Sequence, residues 1–134
     1  MYSVTKIISF CYGHRLLNYD GKCKYLHGHN GRAEILLEGE QLDSRGMVID
    51  FSDIKGVVGS FIDKELDHRM ILCKKDPLIE KLKESNEPLF LIDENPTAEN
   101  IAKVIYEFSK KKGFPVVQVK LWETDTSFAI YRGN

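Results

Sequence analysis

Three of the four histidines in this chain stand where they could bind one metal ion. His27 and His29 flank Gly28, and His14 ends an earlier stretch rich in β-branched and aromatic residues. In an extended strand, residues i and i+2 point to the same face, so His27 and His29 can act together. If His14 ends the neighbouring antiparallel strand, its ring meets theirs. Three imidazoles that leave a fourth position open are typical of a catalytic zinc site.

Two other interpretations of these residues stay open at this level. Imidazole also suits other transition metals, and the His27-Gly28-His29 segment could be a surface loop beside an ordinary buried His14. Cys11 lies three residues before His14, and an odd offset in a strand turns a side chain to the opposite face. We therefore do not expect Cys11 to be a ligand, and neither Cys11 nor Cys73 has an assigned role.

The elements that must position these residues can be predicted from periodicity and caps. Residues 4–14, 28–39, 116–123 and 128–132 read as strands. Ser52 is the expected N-cap of a helix that ends near Asp67 and His68, and Thr97 that of a second long helix ending before Gly113. A short helical piece is expected at 77–84. The order ββααββ predicts an α+β fold, with a four-stranded antiparallel sheet covered on one face by two main helices.

Bulk composition limits the function classes. The 134 residues fit a single domain, 1–134, and the net charge of −1 offers no basic surplus for nucleic acid. No apolar stretch is long enough to span a membrane, and the first residues lack a signal-peptide core. Three cysteines argue against a disulfide framework. A cytoplasmic protein is expected.

Six motifs in order give the chain a family resemblance over nearly its whole length. It resembles the family of 6-pyruvoyl-tetrahydropterin and 6-carboxytetrahydropterin synthases. The matching segments are His14-Arg15-Leu16, Cys23 with His27-Gly28-His29-Asn30, Gly46 to Phe51, Leu66-Asp67-His68, Asn95 to Asn100, and Trp122-Glu123-Thr124. There are three departures: Cys11-Tyr12-Gly13, where the family commonly has small residues; Gly31, where an aromatic residue is frequent; and the segment 72–95, which is long for the 6-carboxytetrahydropterin synthases.

The resemblance implies the tunnelling fold, in which subunits assemble into a β-barrel, usually a homohexamer of two trimers with active sites between subunits. It implies a Zn²⁺ lyase that acts on 7,8-dihydroneopterin triphosphate. The short spacing from Cys23 to His27 and the ending Ile130 to Gly133 resemble the 6-carboxytetrahydropterin synthases of queuosine and deazapurine biosynthesis, whose reaction releases triphosphate and acetaldehyde. The alternatives are a 6-pyruvoyl-tetrahydropterin synthase or another pterin-converting member, and a non-catalytic relative that binds a pterin or a metal.

The resemblance also implies roles for the remaining site residues. Cys23 would be the base, although on local sequence alone it could be a small buried residue. Asp67 and His68 would be a second proton-transfer pair, although on local sequence alone they could simply be the end of a helix. His14, His27 and His29 would be the zinc ligands.

The substrate would be held by a further group of residues. Glu123 would accept two parallel N–H groups of the pterin ring, and Thr97 and Ala98 would contribute backbone contacts, although an exposed strand-end glutamate and a helix cap are the plainer readings. By position, Lys22, Lys24 and Arg69 could meet the triphosphate.

Overall fold

Two long strands form the centre of a six-stranded sheet. In a computed structural model, which describes residues 1–133, β1 (Tyr2–His14) and β2 (His27–Gly39) are antiparallel, and His14 lies opposite His27. β2 also pairs with β5 (Val116–Thr124), and β5 pairs with β6 (Ser127–Tyr131) through a tight turn. The four predicted strands are confirmed to within two residues at either end.

Two short strands were not expected, so the predicted strand count of four is wrong. β3 (Arg69–Cys73) pairs in parallel with β1, and β4 (Leu89–Ile92) pairs in parallel with β3. The sheet order is β4-β3-β1-β2-β5-β6, and it is therefore mixed rather than wholly antiparallel. Runs of four or five residues next to turns are too short to show the period-two pattern that identifies longer strands.

Helices cover one face of this sheet, as predicted. α1 begins at Phe51–Ile54 and continues through two widened π-type turns, Lys55–Gly59 and Ile62–Leu66. Its N-cap is Asp50, whose carboxylate accepts the Ser52 N–H at 2.9 Å, so the prediction of Ser52 as the cap is wrong. Both residues are good caps, and only the backbone geometry distinguishes them.

The remaining helices match expectation. α2 (Ile79–Glu84) is the short helix, and α3 (Ala98–Lys111) begins at Thr97, which accepts the Asn100 N–H. α3 has one apolar face that includes the buried Ile101 and Ile105. No helix among residues 1–133 is long and apolar enough to cross a membrane.

The core lies between the helices and the inner face of the sheet. Alternate residues of β1 and β2 point inward, and Phe10, Tyr12, Ala33 and Ile35 are all buried there. His14 belongs to the same inward row and is only 2% exposed. The period-two alternation therefore places the histidine side chains at the end of the core, on the helix-covered face.

Candidate metal centre and active site

His14, His27 and His29 come together where β1 ends and β2 begins. One ring nitrogen from each lies within 4.8 Å of the other two. The Nε2 atoms of His14 and His29 are 3.1 Å apart, close to the spacing of about 3.3 Å that two ligands of a tetrahedral zinc ion require. The strand register produces this cluster, because His14 is paired with His27, and His29 follows two residues later on the same face.

Backbone carbonyls fix the tautomers of two of these rings. His14 Nδ1–H donates to the Pro96 carbonyl at 2.6 Å, and His27 Nδ1–H donates to the Tyr25 carbonyl at 2.7 Å. Because a carbonyl can only accept, Nδ1 carries a proton in each ring, and in the neutral imidazole Nε2 then keeps its lone pair for a metal ion. The Nε2 of His27 is buried without a hydrogen-bond partner among residues 1–133. A bound metal ion would satisfy this orphaned atom.

The electrostatic setting favours neutral imidazoles, which are the form that binds metals. Burial lowers the pKa of His14, although the bond to the Pro96 carbonyl opposes the shift. Burial also lowers the pKa of His29, against the opposing effect of the Glu123 carboxylate. Both rings are therefore held ready for a metal ion rather than a proton.

Glu123 lies beside this cluster and lines a small cavity. Its Oε1 is 3.5 Å from His29 Nε2, and its side chain is about a quarter exposed. The cavity, of about 200 Å³, is lined by Ala98, Glu99, Glu123 and Ser127 to Ala129. The Pro96 carbonyl accepts from His14, Thr97 caps α3 and Ala98 lines the cavity. This segment therefore connects the histidine cluster to the space beside Glu123.

Asp67 and His68 form a contact pair on the turn between α1 and β3. His68 Nδ1 is 2.8 Å from Asp67 Oδ2, while Asp67 Oδ1 accepts the Cys11 N–H at 2.8 Å. Burial alone would raise the pKa of Asp67, but the bonds from Cys11 and His68 outweigh it and lower that pKa. His68 has a φ of +58° and its side chain is 78% exposed. Such a backbone conformation is costly for a non-glycine residue and is frequent at functional sites.

Cys23 lies in a different loop, apart from the Asp67–His68 pair. It occupies a single turn, Lys22–Lys24, is half-buried, and makes no side-chain hydrogen bond among the residues that the structure describes. Its carbonyl accepts the Leu16 N–H at 2.8 Å. Among residues 1–133, no hydrogen bond therefore joins the Cys23 side chain to Asp67 or His68, the two residues predicted to share its chemistry.

Comparison with known proteins identifies the family of this chain. The 6-pyruvoyl tetrahydropterin synthase family model matches residues 3–134. The chain belongs to the 6-pyruvoyl tetrahydropterin synthase family. A Rickettsia bellii protein named 6-carboxy-5,6,7,8-tetrahydropterin synthase is 36% identical over 96% of this chain and 98% of its own length. The predicted family membership is confirmed.

Solved structures agree on the fold. An uncharacterized protein from Wolinella succinogenes matches with a TM-score of 0.83 at 27% identity, covering 99% of this chain and 98% of its own. The Caenorhabditis elegans 6-pyruvoyl tetrahydropterin synthase matches with a TM-score of 0.73 at 24% identity, over 99% and 96% of the two chains, which bears on the fold alone. The predicted α+β tunnelling fold of the subunit is confirmed, apart from the strand count and the two parallel pairings, while assembly into a β-barrel oligomer stays a prediction.

In this member of the family, hydrogen bonds join the segment that follows β1 to two other loops, the one after β3 and the one before α3. The Asp76 carboxylate, fully buried, accepts bonds from the Arg15 guanidinium, which lowers the pKa of Asp76. Asn95 exchanges two hydrogen bonds with the backbone of Leu17, both at 2.8 Å. The sequence motifs contain Arg15 and Asn95 but do not show that they hold the Cys23 loop against the segment before α3.

The three cations predicted to meet the triphosphate differ in their availability. Arg69 donates from Nε to the Lys64 carbonyl and from Nη1 to the Leu89 carbonyl, so its guanidinium already holds two backbone segments together. Lys22 and Lys24 are exposed beside Cys23. Of the three predicted cations, the two lysines are therefore the more available, although Lys24 Nζ lies 5.3 Å from the centroid of the Tyr25 ring.

Sequence reasoning gave no function to Tyr12, which lies against the metal cluster. Its ring centroid is 5.3 Å from that of His14 and 5.7 Å from that of His29. Burial, and then the negative charge of Glu123, raise the pKa of Tyr12, so the phenol keeps its proton. A Cβ added at Gly31 would lie 2.9 Å from Tyr12 Cε1. Tyr12 thus fills the space that a side chain at position 31 would need, which links the departures at Tyr12 and Gly31.

Proposed function

We propose that this chain is a zinc-dependent 6-carboxytetrahydropterin synthase, which converts 7,8-dihydroneopterin triphosphate and water to 6-carboxy-5,6,7,8-tetrahydropterin, acetaldehyde and triphosphate. The observation that carries the proposal is the three-histidine cluster with its buried, unpartnered His27 Nε2. The name of the Rickettsia bellii relative, which matches at nearly full length, supports the 6-carboxy product.

The fit to zinc rests on the donor set. Three neutral imidazoles leave one position open, as catalytic zinc sites do, whereas structural zinc sites are usually closed by four protein ligands. When bound, the ion would act as a Lewis acid toward side-chain oxygens of the substrate. Every other part of the chemistry falls to protein groups that bind the ring or move protons.

Glu123 is proposed as the anchor of the pterin ring. Its carboxylate would accept two parallel N–H groups of the ring, a bidentate pairing that fixes orientation as well as position. The ring could not fit into the 3.5 Å gap between Glu123 and His29, so the Glu123 side chain would have to turn toward its cavity. Thr97 and Ala98, beside that cavity, would offer backbone groups to the ring.

Cys23 and the Asp67–His68 pair are proposed as the proton-transfer groups. Cys23 would take a proton from the substrate side chain as thiolate, and His68, held by Asp67, would exchange protons on the other side. Because Cys23 and His68 lie in different loops and share no hydrogen bond among residues 1–133, we propose that the reacting pair forms between two subunits of a homo-oligomer, for which a dimer of trimers is expected. The 78% exposure of His68 supports this arrangement, since an exposed group can meet another chain.

The test combines metal analysis and product identification on one preparation. Protein purified with zinc is incubated with 7,8-dihydroneopterin triphosphate, and acetaldehyde and the pterin product are identified by mass spectrometry. We expect one zinc ion per chain and a 6-carboxylated pterin. A 6-pyruvoyl product would instead establish the alternative activity, and no conversion by zinc-loaded protein would favour a non-catalytic binding protein.

A matched pair of cysteine variants then tests the base. Cys23→Ala should bind zinc and fold normally but lose turnover. Cys11→Ser is the control, because the Cys11 thiol donates to Asn30 on the opposite face of β1 and serine can keep that bond. Turnover that survives in Cys23→Ala would show that another group is the base.

A further inference from the structure

One buried phenol packs against the histidine cluster, and its hydroxyl makes no hydrogen bond among residues 1–133. This is Tyr12, which is 3% exposed. In that part of the chain, only one other buried side-chain nitrogen or oxygen is unpartnered, namely Nε2 of His27. The rings that carry these two atoms both pack against those of His14 and His29. Because buried polar groups are nearly always paired, two unpartnered groups around the same pair of rings indicate a ligand that binds there.

The position of the Tyr12 ring is fixed on several sides. It stacks on Phe10 at 5.3 Å and contacts the rings of His14 and His29 edge-on or tilted. Below it, Gly31 has no side chain, and a Cβ there would collide with the Tyr12 ring at 2.9 Å. The ring is therefore held by packing rather than by its hydroxyl, which leaves the hydroxyl available to a ligand.

We infer that the Tyr12 hydroxyl is a substrate-binding group, which hydrogen-bonds to an oxygen of the substrate's side chain when that side chain reaches the histidine cluster. This inference rests on the proposed function, since it assumes a pterin with an oxygenated substituent. The partner is an oxygen rather than a cation or an apolar group, because a phenol can both donate to an oxygen and accept from a hydroxyl. Tyr12 would thereby help to distinguish hydroxylated side chains from bare ones.

The experiment compares two stable ligands in zinc-loaded protein, by calorimetry or by quenching of pterin fluorescence. Neopterin carries a trihydroxypropyl side chain, whereas 6-methylpterin has the same ring without those oxygens. Wild-type protein should bind neopterin more tightly than 6-methylpterin. In Tyr12→Phe, neopterin affinity should fall about tenfold, the typical effect of one hydrogen bond, while 6-methylpterin affinity stays the same. Tyr106→Phe, a tyrosine packed on Tyr131 away from the histidines, is the control.

A second measurement separates binding from folding. The melting temperature of Tyr12→Phe should be equal to or higher than that of the wild type, because the substitution removes a buried hydroxyl that has no partner in the protein. A lower melting temperature would mean that the hydroxyl has a structural role, and this would overturn the inference.

The binding outcomes distinguish this inference from the proposed function. If wild-type protein binds both pterins and Tyr12→Phe loses affinity for neither, the inference alone is wrong. If wild-type protein binds neither pterin, the proposed function fails and the inference fails with it. If Tyr12→Phe lowered the affinity for both pterins equally, the hydroxyl would act on the ring that they share rather than on the side-chain oxygens. This result would also overturn the inference.

Discussion

The histidine cluster and the Asp67–His68 pair differ in how completely one chain builds them. The cluster lies at the end of the core, its tautomers fixed by the carbonyls of Pro96 and Tyr25. The Asp67–His68 pair lies on a turn, with His68 largely exposed and its ring hydrogen-bonded to Asp67 alone among residues 1–133. Under the proposed function, this contrast would mean that one chain preorganises the metal ligands, whereas the proton-transfer pair is completed by a second subunit.

The largest expected effect is the loss of the metal centre. His27→Ala removes a proposed ligand whose Nε2 has no hydrogen-bond partner among residues 1–133, so zinc content should fall from about one ion per chain to nearly none, and turnover should cease. Metal analysis after gel filtration measures this. The matched control is His68→Ala, which should keep its full zinc content. Zinc loss in His68→Ala would contradict the separation of the two regions.

The second effect is the loss of proton transfer with the metal centre intact. His68→Ala should lower kcat on the order of 100-fold, a usual value for removing a general acid or base. Asp67→Asn should lower kcat less, because Asn can still accept the Cys11 N–H but cannot balance a charged imidazole. Steady-state kinetics on zinc-loaded variants provide the measurement, and a change confined to KM would argue for simple substrate binding instead.

The third effect concerns stability below the Cys23 loop. Asp76→Asn weakens the bond to Arg15 and should reduce the free energy of unfolding by about 2 kcal/mol, measured by urea denaturation at pH 7. Because the Asp76 pKa is lowered in the folded chain, this contribution is present above about pH 4 and is lost as the pH falls further. Zinc content should not change.

The control for that variant is an ion pair on the surface. Asp93 pairs with Lys74 where both side chains are mostly exposed, so Asp93→Asn should change stability by less than about 0.5 kcal/mol. Equal effects of the two substitutions would show that the buried bond from Arg15 contributes no more to the free energy of unfolding than a surface ion pair does.

The smallest effect is a pH dependence in the metal-free protein. The pKa values of His14 and His29 are lowered by burial, so the unfolded chain takes up protons at these residues before the folded chain does. Stability after chelation should therefore decline as pH falls below about 6.5, by at most about 1.4 kcal/mol per pH unit for each ring. His29→Gln should show a shallower decline, and an unchanged slope would mean that other groups are responsible.

The sequence predicts the long elements and the meeting of the three histidines well, for a physical reason. Strands β1 and β2 are long enough to show alternation, and the register of a hairpin then places His14 beside His27. The caps and short strands are harder to predict, because Asp50 and Ser52 are equally good caps and Leu89–Ile92 is too short for a periodic signal.

The parts of the site that sequence could not reveal are those made by backbone or by contacts between distant residues. The carbonyls of Pro96 and Tyr25 are backbone groups, which every residue type has, so no sequence motif identifies them. The unpartnered hydroxyl of Tyr12 becomes visible only when its surroundings are known. Likewise, adjacency of Asp67 and His68 in sequence does not show that their side chains touch, which only the structure reveals.

The central claim, that one chain supplies the metal centre with Cys23 and another supplies Asp67 and His68, can be tested by mixing two inactive variants. Cys23→Ala and His68→Ala chains are co-expressed in equal amounts with different tags, and hybrid oligomers are isolated by sequential affinity steps. If each site combines two chains, about a quarter of the sites should contain both intact residues, and the hybrids should regain a comparable share of wild-type activity. Hybrids that form but remain as inactive as either parent would contradict the account.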